Sequence, residues 1–166
     1  MHCYLCVFPT SFPECQKPLG MEIGFITDAQ ITASSEWDAN HAAVNARLHF
    51  KAGGGKQGAW SAAANNKNQW LKVDLRSVTD IRIIGTQGRN KYSQWVTSFK
   101  LDYSNDGGSF QHYRDPGSST DKACNETFDP KRFEKFPCRL FSFQVLQTAA
   151  CGLDKTRINS DRKSVV

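Results

Sequence analysis

Alternating hydrophobic and polar positions dominate the centre of the chain and predict short strands. In NQWLKVDLRSV (68–78), Leu71, Val73 and Leu75 fall on one side and Trp70, Lys72 and Asp74 on the other, as in a half-buried strand. TDIRIIGTQ (79–87) follows, with Ile81 and Ile83 on one face. WVTSFKLDYSNDGGSF (95–110) sets Asn105-Asp106-Gly107-Gly108 among alternating aromatics, and residues that accept positive φ between two strands predict a hairpin. GFITDAQITASS (24–35) adds short β-branched runs closed by Ser34 and Ser35. Strands at roughly ten-residue spacing, joined by Gly-, Asn- and Ser-rich turns, predict an all-β sandwich or barrel.

The pattern loosens after Asp121. That region is more basic, and RLFSFQVL (139–146) is its one strand-like run, with Phe141, Phe143 and Val145 alternating with Ser142 and Gln144. The last dozen residues are polar, and fraying is the expectation there. Three segments follow from this: an extension over 1–14, a strand-rich region over 15–121, and a divergent tail over 122–166 that supplies a closing strand around 139–146 or none.

Charge divides the same way. Residues 1–121 hold 12 Lys and Arg against 11 Asp and Glu, and residues 122–166 hold 9 against 5, so the tail carries +4 of the net +5. A nearly neutral main region argues against nucleic acid as a partner, since a nucleic-acid surface gathers its cations on one face. No apolar run approaches the ~18 residues of a membrane span, so no transmembrane segment is expected. Six cysteines cluster at the two ends, at 3, 6, 15 and at 124, 138, 151. Cys3-x-x-Cys6 has no second pair at similar spacing, which disfavours zinc. Disulfides, and with them an oxidising compartment, fit better than metal, with free thiols the alternative. The N-terminus lacks a basic leader, so a secreted chain would take its signal from elsewhere.

No H-E-x-x-H, catalytic triad or paired-carboxylate motif appears, and HFKAGGGKQGAW (49–60) lacks the GK[ST] of a phosphate loop. Neither catalysis nor a resident cofactor is expected. GTQGRNKYSQW (85–95) is more telling: it packs two aromatics and two cations into eleven residues. Gly85 and Gly88 shape a turn there, while Arg89, Asn90, Lys91, Tyr92 and Ser93 form its tip.

Eight ordered motifs carry a family resemblance: C-x-x-PLGME from Cys15, ITASS from Ile31, ARL from Ala46, GAW from Gly58, QWLKVDL from Gln69, GTQGR from Gly85, WVTSFKLDYSNDG from Trp95 and HYRD from His112. Over residues 15–121 the chain closely resembles the discoidin domain, also called the coagulation factor 5/8 type C domain. The resemblance implies a distorted jelly-roll β-sandwich of about eight antiparallel strands, galactose-binding-like. It also implies an extracellular adhesion or recognition module, not an enzyme, with loops at one end that bind anionic phospholipid, cell-surface glycan or an extracellular-matrix protein such as collagen. A carbohydrate-binding module accessory to an enzyme is the alternative, and a truncated isoform without independent activity is another. The family's two closing strands have no match after Asp121. In their place FSFQVL and Cys151 are available, with Cys15–Cys151 as the terminal disulfide the resemblance suggests.

The same resemblance singles out Trp37, whose loop SSEWDANHAAVN (34–45) matches the first binding loop of the family. Trp37 is either a ligand contact or an anchor folded onto the sandwich, with Asp38, Asn40 and His41 as polar neighbours. Arg89 either grips an anionic ligand bidentately or ties two loops together through Glu36 or Asp38. Trp60, Trp70 and Trp95 are expected in the core. Asp28 and Glu36 are weak candidates for calcium.

Overall fold

The computed structural model describes the backbone of residues 2–7, 17–92, 94–125 and 133–150, with side chains for 18–92 and 94–123. Cys15, Cys151 and Ser93 lie outside the described residues. Eight strands are described: β1 (His2–Val7), β2 (Lys17–Pro18), β3 (Ile31–Ala33), β4 (Gln69–Gln87), β5 (Ser98–Ser104), β6 (Gln111–His112), β7 (Ala123–Asn125) and β8 (Phe133–Ala150). Three single-turn 3₁₀ helices, Asp28–Gln30, Ala39–His41 and Ala43–Ala46, complete the elements. The fold is all-β, and every described pairing is antiparallel.

Strand order along the sheet is β2-β1-β4-β8-β5-β6, with β3 also on β4 and β7 also on β5. β4 merges the two runs expected from the sequence into one 19-residue strand. Its first half lies between β3 and β8, its second between β1 and β8. The β4–β8 ladder shifts register between Asp74 and Thr79 and again between Ile81 and Ile83. Such bulges bend a strand and raise its twist, which lets one long ladder wrap a core.

The second shift corrects the expected face of this strand. Strict alternation pairs Ile81 with Ile83, but Ile81 and Ile84 are the buried residues and Ile83 is only half-buried. An irregular residue between them moves the next apolar side chain inward. Before the bend the pattern holds, with Leu71 and Val73 buried and Trp70, Lys72 and Asp74 on the other side.

Leu71, Val73, Ile81, Ile84, Phe99 and Leu101 form the centre of the core, closed by Met21, Ile31 and Trp60. Of the three tryptophans expected inside, only Trp60 is buried, and its indole N–H donates to the Ser35 carbonyl at 2.9 Å. Trp70 and Trp95 are half-buried. Trp70 shares its face of β4 with Lys72, whose ammonium lies 6.0 Å from the ring centre. The tail contributes β8, a longer strand than the 139–146 run suggests, which fills the place between β4 and β5.

Candidate binding site on three loops

Three loops meet beyond the ends of β3 and β4. The first (34–46) leaves β3 and is held by its own side chains. Ser34 and Ser35 both donate to the Gln69 side-chain oxygen, at 2.8 and 2.6 Å. Asp38 stands in extended backbone ahead of the 39–41 turn and accepts from the N–H groups of Asn40 and His41 at 2.8 and 3.0 Å, as a helix N-cap does. The same carboxylate oxygen accepts from the His41 ring Nδ1 at 2.7 Å. That bond, then the cap, holds the Asp38 carboxyl below its ordinary range. Glu36 is used in the same way, accepting from Ala43 N at 2.7 Å.

Trp37 follows from this arrangement. Its backbone N–H is tied to Ser61 O at 2.8 Å, while 47% of the residue stays exposed. His41 goes the other way: it is buried, and its ring orients Asp38.

The second loop (49–61) gives the first its floor. Gln57 N donates to Asn40 O at 2.8 Å, and Ser61 N donates to His41 O at 3.2 Å. The glycines allow a tight turn, in which Gly53 and Lys56 exchange two backbone hydrogen bonds of 3.0 Å each. Gly54 and Gly55 there have φ of 58° and 82°, conformations in which Cβ is disfavoured.

The third loop (88–95) docks on the second. Asn90 N donates to Gly58 O at 3.3 Å, and Asn90 Oδ1 accepts from Ala52 N at 3.4 Å. Arg89 sits beneath this contact with only 6% of its surface exposed. One guanidinium nitrogen donates to Gln94 Oε1 and the other to Gln57 Oε1, both at 2.7 Å, and Arg89 N donates to Gln94 O at 2.8 Å. The expected ion pair with Glu36 or Asp38 is therefore not how this arginine is held. Glu36 and Asp38 are spent on their own loop's N–H groups, and two neutral amides take the guanidinium. Burial lowers the Arg89 pKa, and Tyr92 and the Asp38 carboxylate oppose that shift. The group remains a cation, as guanidinium does in proteins.

Tyr92 covers the cation, its ring centre 4.2 Å from the guanidinium carbon, while half the tyrosine stays exposed. The Arg89 Nε, buried, has no partner. Lys91 at the tip adopts φ 71° and is exposed.

The loops thus bring together Trp37, Asp38, Asn40, Arg89, Asn90, Lys91 and Tyr92 from the expected residues, with His41 behind them. Gln57 and Gln94 were not legible as site residues, because a glutamine in a polar loop carries no pattern. Asp28 binds Arg47 at 2.5 Å, apart from Glu36, and among the described residues no three His, Cys, Asp or Glu side chains gather as a metal site. No helix among them is long and apolar enough to cross a membrane.

Residues 30–149 match the F5/8 type C domain family, which extends over β3 to β8. The chain belongs to this family. It is 42% identical over 114 residues to coagulation factor V of Bos taurus, covering 65% of this chain and 5% of that protein. It is 38% identical over 127 residues to the EGF-like repeat and discoidin I-like domain-containing protein 3 of Homo sapiens, covering 69% of this chain and 25% of that protein. The match therefore spans only a small part of these relatives. Among solved structures, discoidin II of Dictyostelium discoideum shares the fold with a TM-score of 0.64 and 23% identity, over 73% of this chain and 48% of that one. The family 32 carbohydrate-binding module of C. perfringens NanJ, solved with galactose, shares it with a TM-score of 0.53 and 12% identity, over 76% and 86%.

Proposed function

We propose that the chain is an extracellular recognition module that binds a cell-surface or matrix ligand through its three-loop end. One observation carries the reading: two half-exposed aromatics, Trp37 on the first loop and Tyr92 on the third, stand on loops that both dock on the second, with Arg89 buried beneath Tyr92. Exposed aromatic faces beside fixed polar groups suit a partner with a flat apolar side and hydroxyls at its edge. A sugar has that character, so a glycan is the ligand class we favour. Asp38, pinned by His41, accepts hydroxyl protons, while the aromatic rings cover the apolar face of the sugar. Residues 15–121 form the recognition unit, and the tail closes it through β8. No catalytic step is assigned.

The test is binding of the oxidised chain and its Trp37→Ala variant to a glycan array, to phosphatidylserine vesicles and to fibrillar collagen. Glycan binding that falls at least tenfold in the variant, with unchanged thermal stability, supports the reading. Equal binding by both forms on every probe refutes it. Selective binding to vesicles or to collagen reassigns the ligand.

A further inference from the structure

Many cations of the described surface are ion-paired. Arg47 meets Asp28, Arg82 meets Asp80, Lys100 and Arg114 share Asp121, and Lys122 meets Asp115. Lys67 and Lys72 have no ion pair among the described residues, and at the three-loop end three more such lysines occur on two loops that touch. Lys51, Lys56 and Lys91 are all exposed, and none has an ion-pair partner among the described residues.

The three stand on two loops that dock on each other. Lys51 and Lys91 flank the contact in which Ala52 N donates to Asn90 Oδ1, so the chain directions place them on neighbouring stretches of two loops. Lys56 ends the Gly53–Lys56 turn and precedes Gln57, which grips Arg89. The left-handed backbone at Lys91, φ 71°, is unusual for a residue with a side chain, and strain of this kind collects at ligand sites. Neither Glu36 nor Asp38 forms an ion pair with these lysines; both carboxylates are hydrogen-bonded within the first loop.

We infer that Lys51, Lys56 and Lys91 form a cationic ridge beside the aromatic pair that binds the repeated anionic groups of a sulfated polysaccharide. This rests on the reading of the three-loop end as the binding end, and it narrows the ligand from glycans to acidic ones. Isolated lysines without partners are point charges on flexible stems, matched to anions spread along a chain rather than to one planar group. The stretch that carries Lys51 and Lys56 suits a polyanion lying along it, and the comparison with vesicles decides between that and a bilayer. Between Lys51 and Lys56 this stretch holds only alanine and glycines, so it has nothing large and apolar to insert beneath headgroups. An extended polyanion needs no insertion and can lie along the turn.

Heparin is the probe, with chemically desulfated heparin and phosphatidylserine vesicles as comparisons. The full oxidised chain, the triple variant Lys51→Gln/Lys56→Gln/Lys91→Gln, Trp37→Ala and a tail variant (Lys155→Gln/Arg157→Gln/Arg162→Gln/Lys163→Gln) are measured for affinity and thermal stability at two salt concentrations. The expected result is heparin binding that weakens with salt, disappears on desulfation and falls about tenfold in the triple variant, each exposed ionic contact giving a factor of about two to three. The tail variant should bind as the parent does.

Parental affinity in the triple variant overturns the inference, as does loss confined to the tail variant. Lysine-dependent binding to vesicles without binding to heparin also overturns it, in favour of a membrane surface. The two readings fail separately. If the triple variant is unimpaired while Trp37→Ala loses glycan binding, the ridge is wrong and the aromatic site stands. If Trp37→Ala is unimpaired on every probe while the triple variant loses heparin, the ridge stands alone.

Discussion

The guanidinium of Arg89 lies 4.2 Å from the centre of the Tyr92 ring and donates on its other sides to Gln57 and Gln94. One buried cation thereby ties the second and third loops together without a carboxylate. The arrangement is electrostatically costly, since a buried charge relies on hydrogen bonds to replace its hydration. It is tolerable because two amide oxygens and an aromatic face supply part of that replacement.

Replacing Arg89 with Ala should destabilise the domain by about 1–3 kcal/mol, because two half-buried amide oxygens lose their donors and a buried side chain is removed. Lys at the same position restores the charge but reaches only one glutamine, so it should recover part of the loss. Chemical denaturation of the three proteins checks this, and Arg89→Ala as stable as the parent would contradict it.

Trp37 should behave in the opposite way. Its structural tie is the backbone bond to Ser61 O, which Trp37→Ala preserves, and about half its surface is already in water. Its thermal midpoint is expected to stay close to that of the parent. A large drop would assign Trp37 to anchoring the loop.

Gly58 is where the second and third loops touch. A Cβ built there would stand 2.6 Å from the Asn90 Cβ and 3.3 Å from Ala52 N. Gly58→Ala should therefore separate the loops at a cost of about 1–3 kcal/mol, the range for overpacking. Proteolysis at Lys51, Lys56 or Lys91 should accelerate, and limited trypsin digestion followed by mass spectrometry would show it.

Acid should reveal the carboxylates that hold loops and hairpins. His41 holds Asp38 below its ordinary range, and Lys100 with Arg114 does the same for Asp121. Asp106 is held down most strongly, by the N–H groups of Ser109 and Gly108 and the Ser104 hydroxyl. A depressed folded-state pKa gives stability that is present above the unfolded value of about 4 and lost as pH falls through the folded one. Melting temperature should thus fall below about pH 4, and Asp121→Asn should show a shallower fall. An identical acid profile for parent and variant would rule this coupling out.

Period-two alternation alone determined the all-β class, the buried set Leu71 and Val73, and the β5–β6 hairpin around Asn105 to Gly108. Those features are local, because neighbours in sequence fix which side of a strand faces inward and which residues accept a turn. The ordered motifs went further and identified the family. Tertiary structure decided the rest. The bulge that buries Ile84 in place of Ile83 arises from the ladder with β8, a strand more than fifty residues away. Gln57 became a partner of Arg89 because two loops distant in sequence converge, while Gln94 and the His41–Asp38 pair are local contacts that polar loop sequence does not announce. Nothing in a polar loop records which side chain its neighbour will need, so a pairing such as Gln57 with Arg89 exists only once the sheet has brought the loops together.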